Sequence, residues 1–373
     1  MDDKRKRTWA EVDLGAIEQN YKAMRALLPA GCRFLGVVKA NAYGHGAIPV
    51  SRRLEELGCN YLAVACLDEA YELRTSGIGL PLLILGYTPP AYAQELADLH
   101  ITQAVGSLEY ARALNGNLEG TGKILTVHLK LETGMGRTGF RAFERDELED
   151  ASDAARLPNL YPEGVFTHFC VSDADEPARQ FTYEQFARFR NAFAYVEAVT
   201  GKKFEIHHCT NSGAMINFPE TYLDMVRPGV CLYGMYPGHD RGMLSLTPAM
   251  ELYTRVCYVE DHFPGDTVSY GRTFTADVPC RLAVLPIGYA DGLHRVLSNR
   301  AEFLLNGQRV HQVGRICMDM CMADVTGLDV KSGDVAQVFG KGIPVEEMAE
   351  KAGTINYEMT CDVAPRVPRV YLR

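Results

Sequence analysis

Between about residues 34 and 230, short and almost wholly apolar runs alternate with longer stretches whose apolar positions recur at helical spacing. The runs are Phe34–Lys39, Tyr61–Ala65, Leu82–Leu85, Thr102–Val105, Ile124–Lys130, Gly164–His168, Glu205–His208 and Asp224–Val226. Short apolar runs bounded by turns suit strands buried on both faces, as in a parallel sheet. Helical periodicity fills the gaps at Val50–Leu57, Asp68–Arg74 and Tyr183–Val196. Eight strand–helix units in roughly 200 residues predict an α/β fold whose N-terminal part is a TIM-like (β/α)8 barrel.

Beyond about residue 240 the period shortens to that of β-strands. Leu252–Val259 and Leu282–Pro286 read as strands, and Asn306–Gly307 within FLLNGQRV marks a tight hairpin. One helix is expected at Val345–Ala352. A mostly-β C-terminal domain is therefore expected over 241–373, after a barrel over 14–240. The Gly- and Pro-rich stretch at 236–242 marks the boundary. Residues 1–13 are expected to form an N-terminal strand belonging with the C-terminal domain.

Composition narrows the function without naming it. A length of 373 residues, 47% of them hydrophobic, accommodates a barrel and a second core. The formal net charge of −9 argues against nucleic acid as the main partner, because phosphate binding wants a basic face. The 11 cysteines are scattered without a C-x-x-C pair, which fits reduced thiols in a cytoplasmic protein rather than a zinc or redox site. No apolar run follows the basic residues 4–7, so no signal peptide is expected, and no stretch is long enough for a membrane span. His45, His207 and His208 show no metal-ligand spacing.

Candidate chemistry begins at Lys39, placed where FLGVVK ends and a glycine-containing loop begins. Catalytic groups of a barrel sit at the C-terminal ends of its strands, and a partly desolvated lysine there is a usable amine for a Schiff base. The string VVKANAYGHG resembles the cofactor-lysine motif of bacterial alanine racemases. The resemblance continues in order through HLKLETGMGRTGF (128–140), FTHF (166–169), HCTNSGA (208–214), MVRPGVCLYG (225–234), VSYGRTF (268–274), LPIGYADG (285–292), GRICMDM (314–320) and INYEM (355–359). It spans both expected domains.

The resemblance implies a pyridoxal 5'-phosphate enzyme that interconverts L- and D-alanine with two bases. Lys39 would carry the cofactor imine and serve the D-enantiomer, and Tyr270 would serve the L-enantiomer. A free phenol titrates near about 10, so Tyr270 would need positive charge, which the family supplies through His168 and Arg227. Tyr43, Ser212 and the amides of Gly229 and Val230 would hold the phosphate, with Asn211 alongside, and His208 would pack near the ring. Barrel phosphate sites favour the loops after the seventh and eighth strands, which agrees. Arg227 would face the pyridine nitrogen. As a permanent donor it would keep that nitrogen unprotonated and shorten the life of a carbanion. Arg137 would contact cofactor and substrate carboxylate, held by Lys130 once carbamylated. Tyr289, Met318 and Asp319 would form the substrate entrance. In the family these residues and the tyrosine base reach into the other subunit, which implies a homodimer with shared sites acting on a small amino acid.

One position departs from the family. Pro365 in CDVAPRVPR stands where a tyrosine is usual, removing a hydroxyl and opening the alternative of a serine or dual serine/alanine racemase. A non-catalytic, cofactor-carrying barrel protein and a decarboxylase of the same two-domain plan are further alternatives.

Overall fold

The computed structural model describes residues 7–238 and 244–373. The basic residues 4–6 and most of the expected domain boundary lie outside the described residues. Contacts divide the chain into two units. One gathers residues up to 17, 43–46 and 247 onward; the other holds 18–42 and 47–246.

The second of these is the parallel barrel. Its strands run Arg33–Val37, Tyr61–Val64, Leu82–Ile84, Ile101–Val105, Leu125–Glu132, Leu160–Phe166, Ile206–His208 and Met225–Val226, each paired in parallel with the next through the seventh. The eighth pairs in parallel with the first. The remaining seam, between seventh and eighth, is joined by the Asp224 amide donating to the His207 carbonyl and the Arg227 amide to Thr210, at 3.2 and 2.9 Å. The second, third and fourth strands are buried end to end, the second and third as their unbroken apolar runs require, the fourth with Thr102 and Gln103 among its buried residues. Helices Leu67–Thr75 and Gln180–Thr200 contain the second and third helical periodicities, and Ala47–Glu56 contains all of the first but its last residue, Leu57.

Two segments differ from expectation. The sixth strand begins four residues early, at Leu160, carrying Pro162 through a register shift opposite Val127 and His128. The proline and charge of YPEG read locally as a turn, yet a bulge absorbs the missing donor. The first strand stops at Val37, and residues 40–43 follow with φ of 52 to 54°.

The other unit is a nine-stranded sheet. Its order is Tyr258–His262, Cys280–Leu285, Cys321–Asp324, Gln308–Val313, Glu302–Leu305, Val335–Phe339, Met250–Arg255, Thr8–Asp13 and Arg369–Leu372. Thr8–Asp13 lies antiparallel to Met250–Arg255 and parallel to Arg369–Leu372. The expected single strand over 252–259 is two, interrupted at Val256 and Cys257. Asn306 and Gly307 both take positive φ, 51 and 76°, as a two-residue primed turn between Leu305 and Gln308 requires. The helix at Val345–Ala352 is present. Among the described residues, no helix is long and apolar enough to cross a membrane.

Candidate active site

The barrel brings its candidate residues to one end because each follows, or closes, a parallel strand. Lys39 follows the first strand, Lys130 lies near the end of the fifth with Arg137 in the loop beyond, and His168 follows the sixth. Asn211 and Ser212 follow the seventh, and Arg227, Gly229 and Val230 the eighth.

The turn after Lys39 is held by specific bonds. Ala40, Asn41, Ala42 and Tyr43 occupy the left-handed region consecutively, a conformation costing L-residues roughly 1–2 kcal/mol each. The Glu69 carboxylate compensates by accepting the Ala40 amide at 2.6 Å and the Ala65 amide at 2.7 Å. Asn41 Oδ1 accepts the Ala47 amide at 2.8 Å, capping the next helix. Strain retained at such a turn is characteristic of functional positions.

The mouth is electropositive. His168 is driven well below its ordinary value, first by burial and then by the charges of Arg227, Arg137, Lys130 and Lys39. Lys130 is buried, donates to Thr138 Oγ1 at 2.7 Å, and is lowered to about 8 by burial and then by Arg137. Glu132 stays ionised although burial opposes it, because the loop amides of Gly136, Gly134 and Arg137 point at it. Thr138 and Glu132 lie inside the HLKLETGMGRTGF string, but their roles depend on a loop geometry that spacing does not reveal.

Arg227 is buried and lowered to about 10 by that burial. Its guanidinium donates to the main-chain oxygens of Thr167 and Cys209 at 2.7 and 3.2 Å, and meets His208 Nδ1 at 3.0 Å. Arg227 thus bonds His208 directly, and it is also the first charge acting on the buried His168. The reason for that bond is positional: His208 sits at the end of the neighbouring strand, stacked on Phe166 at 4.9 Å, within the plane the guanidinium can reach.

Ser212 Oγ accepts the Gly229 amide at 2.9 Å, and both residues are buried. That bond ties the loops after the seventh and eighth strands together, and the Ser212 hydroxyl also meets the buried Cys231 thiol. Asn211 accepts the Ala214 amide at 2.9 Å and donates to the Phe169 carbonyl at 3.1 Å, so it shapes the loop.

The remaining candidates belong to the β-rich unit. Tyr270 lies 71% exposed in a turn whose neighbours Ser269, Gly271 and Arg272 all have positive φ. With Met318, Asp319 and Cys317 it lines a hollow of about 480 Å³. The amides of Tyr289 and Ala290 bond the carbonyls of Cys317 and Met318, each at 3.0 Å. A Cβ at Gly288 would lie 2.3 and 2.4 Å from those oxygens, so only glycine lets the loops meet. Asp319 pairs with Arg366 at 2.8 Å, and Arg366 in turn donates to the fully buried Asp291 at 2.8 Å. Tyr43 packs edge-on against Tyr357 at 6.3 Å.

Fold and site together define a two-domain enzyme: a parallel barrel with a lysine and three further cations at its mouth, and a β-rich unit presenting an exposed phenol. Family models described as alanine racemase N-terminal domain and alanine racemase C-terminal domain match residues 12–237 and 249–371. An alanine racemase of Desulfovibrio desulfuricans is 46% identical over 367 residues, covering 98% of each chain, and one of Desulforamulus reducens is 44% identical over 98% of each. Among solved structures, alanine racemase of Clostridium difficile 630 superposes with a TM-score of 0.93 at 38% identity, covering 98% of this chain and 96% of that one. That of Streptomyces coelicolor gives 0.94 at 33%, covering all of both. The chain belongs to the alanine racemase family.

Proposed function

We propose that this chain interconverts L- and D-alanine with pyridoxal 5'-phosphate, using Lys39 and Tyr270 as the two bases. The observation that carries the reading is the gathering of Lys39, Lys130, Arg137 and Arg227 around His168 at the C-terminal end of the barrel. Such a mouth fits a group bearing a phosphate and a phenolic oxygen, and a substrate bearing a carboxylate. The tied loops of Ser212 and Gly229 place a neutral polar group beside it. When bound through Lys39, the cofactor would acidify the α-hydrogen of an amino acid.

The chain's own residues would do the rest. Tyr43, Ser212 and the Gly229 and Val230 amides would hold the phosphate, with Asn211 keeping the Ser212 loop in shape. Arg227 would donate to the pyridine nitrogen, with His208 behind it. Arg137 would orient the substrate carboxylate, steadied by a carbamylated Lys130, whose neutral amine is accessible near pH 8. The Lys39 amine and the Tyr270 phenol would move protons on opposite faces of the substrate carbon. Tyr289, Met318 and Asp319 would line the entrance. We assign the β-rich residues to the site of a second subunit, in a homodimer. The free thiols of all 11 cysteines support a reducing, cytoplasmic setting. The relatives favour alanine over serine, since the two named above, matched along the whole chain, are alanine racemases.

Borohydride reduction of the loaded protein, followed by peptide mapping, tests the cofactor anchor. The label is expected on Lys39, and a label elsewhere or none rejects the assignment. Chiral chromatography after incubation with L-alanine, L-serine and L-ornithine should show D-alanine as the main product.

A further inference from the structure

A line of buried side chains runs from Arg227 through the barrel interior. His208 Nδ1 lies 3.0 Å from Arg227 Nη1, and His208 Nε2 lies 2.8 Å from His128 Nδ1. His128 Nε2 then lies 2.9 Å from Glu163 Oε2. Both imidazoles are completely buried, whereas the Glu163 side chain is 23% exposed.

The protons on this line follow from its ends. Arginine only donates, so His208 Nδ1 must accept, and its proton sits on Nε2. That proton is given to His128 Nδ1, which leaves His128 carrying its own proton on Nε2, donated to the carboxylate. Every polar atom along the line is then satisfied, and no other neutral tautomer pair achieves this. A charged ring fits nowhere, and burial pushes both histidines below their ordinary value, in keeping with neutral rings.

The barrel is built around the arrangement. A Cβ at Gly164 would come within 2.8 Å of three His128 ring atoms, so the ring lies directly on bare backbone. The strand shifts register opposite His128. Phe166 stacks on His208 at an interplanar angle of 14°, and its ring lies 5.5 Å from the Arg227 guanidinium. Tyr61 donates to the same Glu163 oxygen at 3.1 Å.

We propose that Glu163, His128 and His208 are positioning residues that act through Arg227, fixing its orientation and offsetting its charge from the far end of this line. This rests on the reading that Arg227 faces the cofactor. Among the described residues, none of the hydrogen-bond partners of Arg227 is a carboxylate. Placing one directly against it would cost the desolvation of a second buried ion. Glu163 avoids that cost by remaining partly wet, while two neutral imidazoles carry its polarisation inward. Each N–H that a ring donates toward Glu163 makes that ring's other nitrogen a better acceptor, so the bonds reinforce one another. The logic is that of outer groups orienting the inner ligand at a metal site.

The test uses the full chain loaded with pyridoxal phosphate and ring-15N histidine. His128 and His208 should both appear neutral with the proton on Nε2, and a proton on Nδ1 of either, or a doubly protonated ring, overturns the proposal. Glu163→Gln keeps the shape and removes the charge. It should lower kcat for alanine about 10-fold, leave KM within about two-fold, and move the His128 Nε2 resonance. Tyr61→Phe removes only the neighbouring phenol and should leave kcat within about two-fold; equal losses in both variants mean packing rather than relay and reject the idea. The tautomers in unmutated protein decide the matter if Glu163→Gln does not fold. Missing imine absorbance in the unmutated chain would sink the cofactor reading. Normal absorbance and turnover, with Glu163→Gln kinetics unchanged, would sink the relay alone.

Discussion

The Lys130 ammonium donates to the Thr138 hydroxyl at 2.7 Å and has the Arg137 charge, rather than a carboxylate, as its strongest electrostatic neighbour. A buried lysine so placed gains by becoming something other than a cation.

Carbamylation is the change expected. It consumes neutral amine, and burial followed by Arg137 holds Lys130 down at about 8, so the reactive fraction grows as pH rises through that value. In 13C-bicarbonate the protein should show a carbamate resonance that strengthens from about pH 7 to 9, and Lys130→Arg should abolish it. For the unmodified lysine, a folded-state value below the ordinary 10.5 means the native state binds fewer protons than the unfolded state between the two. That penalty is full below about pH 8 and is relieved as pH rises toward 10.5. A labelled sample without the resonance at pH 9 would reject the modification.

Tyr270→Phe should separate the two directions of proton transfer. In D2O, deuterium entry from L-alanine should fall by at least about 100-fold, within the range lost when a general base is removed. Exchange from D-alanine, served by Lys39, should fall far less. Equal losses from both enantiomers contradict the assignment.

Asn41 combines a left-handed φ of 52° with a side chain that accepts the Ala47 amide at 2.8 Å. Asn41→Ala loses both advantages and should cost about 1–2 kcal/mol, read as a lower urea midpoint. Asn41→Gly restores the backbone freedom and should fall between the two. Alanine matching the native residue would mean the turn is not strained.

Gly164→Ala places a methyl within 2.8 Å of the His128 ring and should destabilise by about 1–3 kcal/mol. Adding His128→Ala should recover part of that loss, measured as a non-additive double-mutant cycle in thermal midpoints. Strict additivity would show that the ring is not what the methyl meets.

Much of the barrel was legible because buried parallel strands must be apolar on both faces, and runs such as Tyr61–Ala65 and Leu82–Leu85 announce that locally. The Asn306–Gly307 turn was legible for a similar reason, since few residues tolerate two successive positive φ values. The sixth strand hid its first half behind Pro162 and Glu163, where a bulge and a side-chain bond to the neighbouring strand supply what the local sequence lacks.

Period, turn chemistry and the order of the motifs were thus written along the chain, because each depends on neighbours within a few residues. Which side chains meet was decided only by closure of the barrel. Arg227, His208, His128 and Glu163 stand on four different strands or strand ends. A hydrogen bond acts over about 3 Å, and no spacing along the sequence encodes a distance that the curvature of a closed sheet creates.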